Sequence, residues 1–305
     1  MTDNLTPPDF QEIDVLLSEL LAETKKWGGV LSSGTKLDVS SQAVQDLFES
    51  KVSFGNPSDS LIQLTEDTFA NSGVELTPLY KQQMQGAYNF YYMTLSVDLI
   101  PQPGAKFWRL VCQLDFGPKG QHEPIIQRLF PSDAWRSVMS TGVGLDIGLN
   151  GNLNWNAGVD SENLNQIADM LPAGVKANVV SKNNFSAFLT LPAFRYELGR
   201  PEVLISGEGN SLCYWRITSQ DLQKVGTAKF GIVFKVPKEI SEIALQGTAW
   251  AEPNMQWLTA DLRDVASELS DRFKQLLRKK QSGASQLARW DAEKWDMALP
   301  AATFP

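Results

Sequence analysis

The clearest pattern in the chain is a two-residue alternation of apolar and small polar positions over residues 143–159, VGLDIGLNGNLNWNAGV. Every odd position except Gly151 is apolar, and every even position is Gly, Asp or Asn. Because successive side chains of a β-strand point to opposite faces, the pattern predicts one wholly apolar face. The positions that define this face are Val143, Leu145, Ile147, Leu149, Leu153 and Trp155, followed by Ala157 and Val159.

The same stretch contains a strong turn signal, Asn150-Gly151. A two-residue loop would place Leu149 opposite Asn152 and mix apolar with polar side chains on one face. A three-residue loop instead places Leu149 opposite Leu153 and keeps the apolar face intact. We therefore predict a hairpin with its tip at Gly151; a single long strand is the alternative.

An amphipathic hairpin of this kind has two interpretations. Soluble antiparallel sheets commonly alternate in this way, so the hairpin would cover a soluble core or form a sheet between subunits. Alternatively, its small polar face suits a water-filled pore, and Trp155 would face lipid. Each arm has about eight residues, slightly fewer than the roughly 9–11 of a membrane-spanning strand. The six positions from Val143 to Trp155 are therefore candidates for a membrane or interface hairpin.

A helix is predicted near the start of the chain. Asp9 stands in a capping position after Pro7-Pro8, and Gly28-Gly29 is expected to end the helix. Apolar residues recur at helical spacing, and one face must pack on the body of the protein or on a partner. The candidate interface residues on this face are Phe10, Ile13, Leu17, Leu20 and Leu21. A second, shorter helix is predicted over residues 41–50.

The end of the chain also has helical periodicity. Leu262, Leu269 and Phe273 belong to a series with spacings of three and four, which predicts a helix that ends at Gly283. A last helical piece is predicted over residues 286–298, which contain two tryptophans.

Between these helical ends, residues 52–258 are mostly extended runs rich in β-branched and aromatic residues. The turn signal Gln102-Pro103-Gly104 between two such runs predicts a hairpin. We therefore expect an α+β fold, with a predominantly antiparallel, sandwich-like β body and amphipathic helices at both termini. The predicted segments are 1–51 (helical), 52–172 (first β-rich module, with the hairpin), 173–258 (second β-rich module) and 259–305 (helical).

Composition narrows the functional classes. The 305 residues are 43% hydrophobic and 20% charged, as in a folded globular protein. A net charge of −8 argues against general affinity for nucleic acid, so no nucleic-acid partner is expected. The first residues lack the basic and apolar regions of a secretory signal, which predicts a cytoplasmic location. Cys112 and Cys213 lie in apolar runs and are predicted to be buried thiols.

Motifs for catalysis are scarce. The single histidine, His122, lies in a polar loop, and neither a GxSxG serine motif nor a phosphate-binding loop occurs. We predict no cofactor, no metal and no catalytic residue. A carboxylate-dependent hydrolase is an alternative, and Asp115, Asp146 and Glu208 are the acids that would serve it.

Tryptophan followed by arginine occurs three times among nine tryptophans. Neighbours on a regular strand point to opposite faces, so the two side chains of such a pair are expected not to stack. One interpretation is a core tryptophan beside a surface arginine. The other is a set of interface aromatics, Trp108, Trp135 and Trp215.

These patterns favour a non-enzymatic protein that makes protein–protein contacts or self-assembles through its β-rich body. A pore-forming protein is the alternative, in which the amphipathic hairpin enters a membrane after release of the terminal helices. Under either hypothesis a protein partner or a second copy is expected, and the membrane becomes a partner only after activation.

Overall fold

The computed structural model describes residues 7–30, 35–66, 78–120, 122–130, 202–220, 222–262 and 269–300. The predicted hairpin at 143–159, the interface candidate Trp135 and the predicted module boundary at 172 lie outside these described residues.

The body is two antiparallel five-stranded sheets, which confirms the expected α+β fold with a β-rich body. Sheet 1 has the strand order β1-β3-β8-β5, with β2 also paired to β3, and sheet 2 has the order β10-β9-β4-β7-β6. The strands are β1 (Lys51–Phe54), β2 (Ile62–Leu64), β3 (Tyr88–Ile100), β4 (Phe107–Gly117), β5 (Ile125–Phe130), β6 (Glu202–Ser206), β7 (Leu212–Thr218), β8 (Thr227–Pro237), β9 (Glu242–Pro253) and β10 (Arg289–Ala298).

The two predicted β-rich modules interleave in both sheets. In sheet 1, β8 from the second module pairs with β3 and β5 from the first. In sheet 2, β4 from the first module lies between β9 and β7 from the second. The described strands of the two modules therefore build one sandwich.

The core lies between the facing sheets. Trp215 on β7 packs against Phe230 on β8 with ring centroids 4.8 Å apart, and Phe116 on β4 packs 5.0 Å from Phe234 on β8. Cys112 and Cys213 also point into this core, and both are free, buried thiols, as predicted.

The segment 102–104 forms a turn, in which the Ala105 amide donates to the Gln102 carbonyl at 3.0 Å. The predicted hairpin is nevertheless wrong, because β3 belongs to sheet 1 and β4 to sheet 2. The turn carries the chain across the sandwich from one sheet to the other. The predicted turn is confirmed, but turn chemistry does not specify which strands pair.

Six helices are described around the sandwich: α1 (Phe10–Val30), α2 (Thr35–Glu49), α3 (Pro78–Gln85), α4 (Met255–Asp261), α5 (Asp271–Arg278) and α6 (Lys280–Ser285). Asp9 caps α1 as predicted, since its Oδ1 accepts from the amides of Gln11 and Glu12 at 3.1 Å. Two predicted helix ends are wrong. The first helix continues through Gly28-Gly29 to Val30, and Gly283 lies buried inside α6.

The predicted helical piece at 286–298 is also wrong, because these residues contain β10. Strand β10 pairs along its whole length with β9, where Trp295 lies opposite Leu245. The Trp295 ring covers Gly247, since an added Cβ there would lie 2.8 Å from the ring. Pairing with β9 and the space above a glycine override the helix-favouring composition of β10.

Candidate functional site at the edge formed by β5 and β6

Residues 131–201, which include the alternating segment, are attached at the edge of the sandwich. The chain leaves sheet 1 after Phe130 at the end of β5 and enters sheet 2 at Glu202 in β6. Among the described strands, each of these two is the last in its sheet. The insertion therefore interrupts neither sheet order, and every described strand pair is made by residues outside it.

The link between β6 and β7, residues 207–211, is a tight turn beside β5. Gly207 and Gly209 have φ values of 118° and 82°, in the left-handed region that favours glycine. A Cβ on Gly207 would lie 2.3 Å from the carbonyl oxygen of Leu212, so a side chain cannot be accommodated there. The Asn210 amide closes the turn by donating to the Gly207 carbonyl at 3.0 Å.

This turn joins the two sheets through main-chain hydrogen bonds. The Ile126 amide on β5 donates to the Asn210 carbonyl at 2.9 Å, and the Gly209 amide donates to the Ile126 carbonyl at 2.8 Å. On the other side, the Phe116 amide on β4 donates to the Ser211 carbonyl at 2.9 Å. Residues 207–211 thus fix the start of β5 against sheet 2.

Further along β5, a side chain replaces the main-chain contact. A register shift lies between Ile126 and Arg128, and after it Glu208 Oε1 accepts from the Leu129 amide at 3.2 Å. Glu208 Oε2 accepts from Arg128 Nη1 at 3.2 Å. We call this set of contacts among Glu208, Arg128 and Leu129 the edge clamp. A carboxylate is a strong acceptor for an edge-strand amide, and it also blocks pairing with another strand.

A polar network anchors the turn behind the edge clamp. Lys119 Nζ contacts the Asp115 carboxylate and donates to Ser211 Oγ at 2.6 Å. Ser211 is buried, and its Oγ donates to Glu123 Oε2 at 3.3 Å. Two of the three acids predicted for a hydrolase are thus in ion pairs, Asp115 with Lys119 and Glu208 with Arg128.

The remaining candidates for catalysis or metal binding are His122 and Asp146. His122 is about half exposed, and its Nδ1 lies 3.3 Å from Glu239 Oε1. Asp146 lies outside the described residues. No cluster of metal-ligating side chains occurs within the described ranges. In the same part of the chain, no helix has both the length and the hydropathy needed to cross a bilayer.

The opposite edge of the sandwich, formed by β1 and β10, uses the same kind of contact. Asp291 Oδ2 accepts from the Phe54 amide on β1 at 3.1 Å. Arg289 Nε donates to the Ser50 carbonyl at 2.9 Å, and the Phe54 and Trp295 rings meet edge to face at 5.3 Å. A carboxylate therefore accepts from an edge-strand amide on each side of the sandwich.

The candidate interface helix α1 packs on the protein's own body. Ile13, Leu17 and Leu20 are at most 1% exposed, and Phe10 and Leu21 are partly buried against the core. The ring of Phe10 stacks on Trp290 of β10 at 4.5 Å. This apolar face of α1 therefore packs against other residues of the same chain.

The helix α1 lies at the end of sheet 2 opposite β6. Phe10 also contacts Trp250 on β9, so α1 lies over β9 and β10. These strands are at the far end of sheet 2 from β6, and β10 and β6 are separated by four strand spacings, about 19 Å. The helix therefore lies far from the point where residues 131–201 join the body.

The tryptophan–arginine pairs behave differently from one another. Arg109 stacks on Trp108, with its Cζ 4.1 Å from the ring centroid, so the expectation that such neighbours do not stack is wrong here. The pairing register of β4 with β9 shifts between Phe107 and Arg109, and this irregularity alters the strict alternation at Trp108. Trp215, in contrast, is fully buried in the core and cannot contact a partner in this fold.

The sequence predicts Glu208 only as one of the acids of a carboxylate-dependent hydrolase. It missed Arg128 and Leu129, and no sequence signal identifies them. Glu208 and Leu129 are 79 positions apart, and their contact depends on the pairing of two different sheets. The glycines that flank Glu208 are the local sequence feature that indicates a turn at this position.

No protein-family model matches the chain, and no curated protein matches it. Solved structures with some likeness include a pore-forming protein, with a TM-score of 0.32, 8% identity and coverage of 67% of this chain and 78% of the other. Another is the Clostridium perfringens NetB toxin in the membrane-inserted form, with a TM-score of 0.25, 8% identity and coverage of 67% and 85%. A third is the collagen-binding domain of a Staphylococcus aureus adhesin, with a TM-score of 0.19, 8% identity and coverage of 64% and 85%. Likeness at these values does not establish a shared fold or function.

Proposed function

We propose that this protein self-assembles through its β-rich body and perforates membranes, with residues 143–159 as the membrane-facing hairpin. One observation carries the proposal. The segment with a wholly apolar alternate face belongs to an insertion that begins and ends at edge strands of the sandwich. This function requires no catalytic step. The cytoplasmic location of the protein stays a prediction.

The insertion point supports the proposal because the described strands pair with one another on both sides of the insertion. All ten strands described in sheet 1 and sheet 2 pair with one another through residues outside 131–201. The aromatic contacts between the sheets, such as Trp215 with Phe230, also lie outside the insertion. A change in the surroundings of residues 131–201 is therefore compatible with a folded body.

The length of the insertion supports the proposal as well. Residues 131–142 precede the alternating segment, and at about 3.3 Å per residue they reach roughly 40 Å when extended. Residues 160–201 follow it and reach further. The connections are thus long enough to place the hairpin well outside the sandwich. Each arm of about eight residues needs only one or two flanking residues to match a membrane-spanning strand.

The polar face of the alternating segment supports a pore better than a lipid-covered surface. Asp146 shares that face with glycines and asparagines such as Asn152 and Asn154. A carboxylate facing lipid is costly, so this face is assigned to the water-filled interior. Several copies are required, because one two-stranded hairpin cannot enclose a channel.

The test is leakage of dye-loaded liposomes exposed to the pure protein, intact and after mild proteolysis. We expect wild type to cause leakage in at least one of these states. The double variant Asn152→Leu and Asn154→Leu makes one loop position and one arm position of the polar face apolar, so leakage should be lost while the thermal unfolding of the monomer is unchanged. A control that adds two leucines at exposed helix positions, Gln82→Leu and Gln275→Leu, should leak like wild type.

Two results would contradict the proposal. Unchanged leakage from the Asn152 and Asn154 double variant would remove the hairpin from the mechanism. Oligomers that form on liposomes without any leakage would leave self-assembly as the function and remove membrane perforation.

A further inference from the structure

We propose that one end of the sandwich, which we call the basal surface, docks on a bilayer that contains anionic lipid. This inference rests on the proposed function, because it names the surface that brings the protein to the membrane. The basal surface contains the turn between β3 and β4 and the segment between β7 and β8, with the ends of the adjoining strands. It is defined by Lys51, residues 100–108, residues 219–220 and residues 222–229.

Main-chain hydrogen bonds join these segments into one surface. The Leu99 amide on β3 donates to the Gly226 carbonyl at 2.7 Å. The Ser219 amide donates to the Trp108 carbonyl on β4 at 2.9 Å. The segment between β7 and β8 is therefore bonded to sheet 1 through Leu99 and to sheet 2 through Trp108, and the basal surface is held in one position on both sheets.

Both ends of the insertion, residues 131–201, join the body toward the basal surface. The chain enters β6 at Glu202, which pairs with Thr218, the last residue of β7. Strand β5 runs antiparallel to β8 and ends opposite Gly231, four positions from the start of β8 at Thr227. A bilayer at the basal surface therefore lies on the side of the body to which the proposed membrane hairpin is connected.

The charge of the basal surface matches an anionic bilayer. Its exposed charged side chains are all basic and are Lys51, Lys106, Lys224 and Lys229. The neighbouring exposed acids at its rim are Glu49 and Glu202. The net charge of the chain is −8, but exposed charges more than about 10 Å away are largely screened at physiological salt. The local excess of lysine therefore decides the interaction, and each lysine close to an anionic bilayer strengthens binding about fivefold.

The basal surface also offers apolar side chains that suit the interface of a bilayer. Ile100 is 52% exposed at the last position of β3, and burying it in the headgroup region would remove apolar surface from water. Trp108 is only partly buried against the core. Tryptophan is enriched at the level of lipid headgroups, where its ring meets both apolar and polar groups. A bilayer thus fits the apolar and the charged side chains of this surface together.

The first experiment measures binding of the full chain to vesicles of phosphatidylcholine and phosphatidylserine by flotation. The double variant Lys51→Gln and Lys106→Gln should bind about thirtyfold more weakly than wild type, because two basic charges are lost at the bilayer. Vesicles of phosphatidylcholine alone should bind wild type more weakly as well.

The matched control for this variant is Lys238→Gln with Lys294→Gln. Both lysines are exposed, so the control removes the same charge from the chain. Lys238 follows the far end of β8, and Lys294 lies past the middle of β10, opposite Gln246. Since both positions are away from the basal surface, the control should bind like wild type.

A second pair of variants tests the apolar contact. Ile100→Ser should weaken binding about fivefold, the scale expected for a half-exposed isoleucine. The control is Leu79→Ser on α3, where the side chain is 59% exposed. Helix α3 precedes Tyr88, which pairs with Pro237 at the opposite end of sheet 1, so Leu79→Ser should not change binding.

A proximity measurement locates the bilayer directly. A dye on Pro103→Cys, in the turn between β3 and β4, should be quenched by lipids that carry a spin label in the headgroup. A dye on Lys238→Cys should not be quenched. Cys112 and Cys213 are buried, so they should not take up the dye.

The outcomes separate this inference from the proposed function. Weaker binding of the basal variants alone, with quenching at position 103 alone, is the predicted result. Equal binding of wild type and the basal variants, or an equal loss in the controls, would overturn the inference and leave the proposed function standing if leakage persists. Binding through the basal surface without leakage would support docking and contradict membrane perforation. If wild type neither binds nor causes leakage, both are contradicted.

Discussion

Glu252 on β9 lies directly opposite Arg109 on β4, with its Oε2 atom 3.4 Å from Arg109 Nη1. Glu252 is only 2% exposed, and its Oε1 accepts from Ser285 Oγ at 2.9 Å. Among the described residues, neither Glu252 Oε2 nor Arg109 Nε has a hydrogen-bond partner of good geometry. Burial raises the pKa of Glu252, and the charge of Arg109 only partly opposes this effect.

The raised pKa predicts how stability depends on pH. The native state binds the Glu252 proton more tightly than the unfolded state does. The stabilisation linked to this proton is therefore complete below the ordinary pKa of glutamate and is lost as the pH rises through the native value. Glu252→Gln removes this titration. The free energy of unfolding of wild type, relative to this variant, should thus fall as the pH rises above the ordinary pKa of glutamate.

Urea unfolding of both proteins at several pH values measures this difference. Glu239→Gln serves as the control, because its side chain is 60% exposed and its effect should be small at every pH. A difference between wild type and Glu252→Gln that does not change with pH would contradict the assignment.

The helix α1 should stabilise the monomer through its buried face. Leu17 is 0% exposed, so Leu17→Ala should lower the free energy of unfolding by about 3 kcal/mol. Val15 is 54% exposed, so Val15→Ala should change it by less than about 0.5 kcal/mol. Thermal or urea unfolding of dilute protein measures both. Equal effects of the two variants would show that α1 does not pack on the body as described.

The two thiols should be inert in the folded protein. Cys112 and Cys213 are fully buried, and burial raises the pKa of both thiols well above the ordinary value. Because the thiolate is the reactive form, reaction with a thiol reagent at neutral pH should occur only through unfolding. Its rate should rise with urea in parallel with the unfolded fraction. Rapid reaction of either thiol without denaturant would contradict the core as described.

Local sequence patterns predicted much of the fold. The β-rich body and the capped start of α1 follow from alternation and from Asp9, because both depend on near neighbours. Strand β10 was missed because its residues favour a helix in isolation, and its extended form is due to β9 and to the space above Gly247. The turn at 102–104 is also predictable from its sequence. The crossing from sheet 1 to sheet 2 at this turn is not, because it depends on which strands pair.

The candidate site was predictable only in part. The alternating segment is visible in the sequence, but its attachment between β5 and β6 depends on which strands end the two sheets. The contact of Glu208 with Leu129 spans 79 positions and gives no local signal. The stacking of Arg109 on Trp108 follows from an irregularity in strand pairing, which the spacing of the residues does not reveal.

The most direct measurement places single cysteines along the alternating segment and labels them with an environment-sensitive dye. Because Cys112 and Cys213 are buried, the native thiols should remain unlabelled. Cysteines at Leu145 and Ile147 should report an apolar, lipid-like environment after addition of liposomes, whereas cysteines at Asp146 and Gly148 should report water. This two-residue period, appearing only with liposomes and together with leakage, is the predicted result. If the dye emission at all four positions is unchanged after addition of liposomes, membrane perforation by this segment is contradicted.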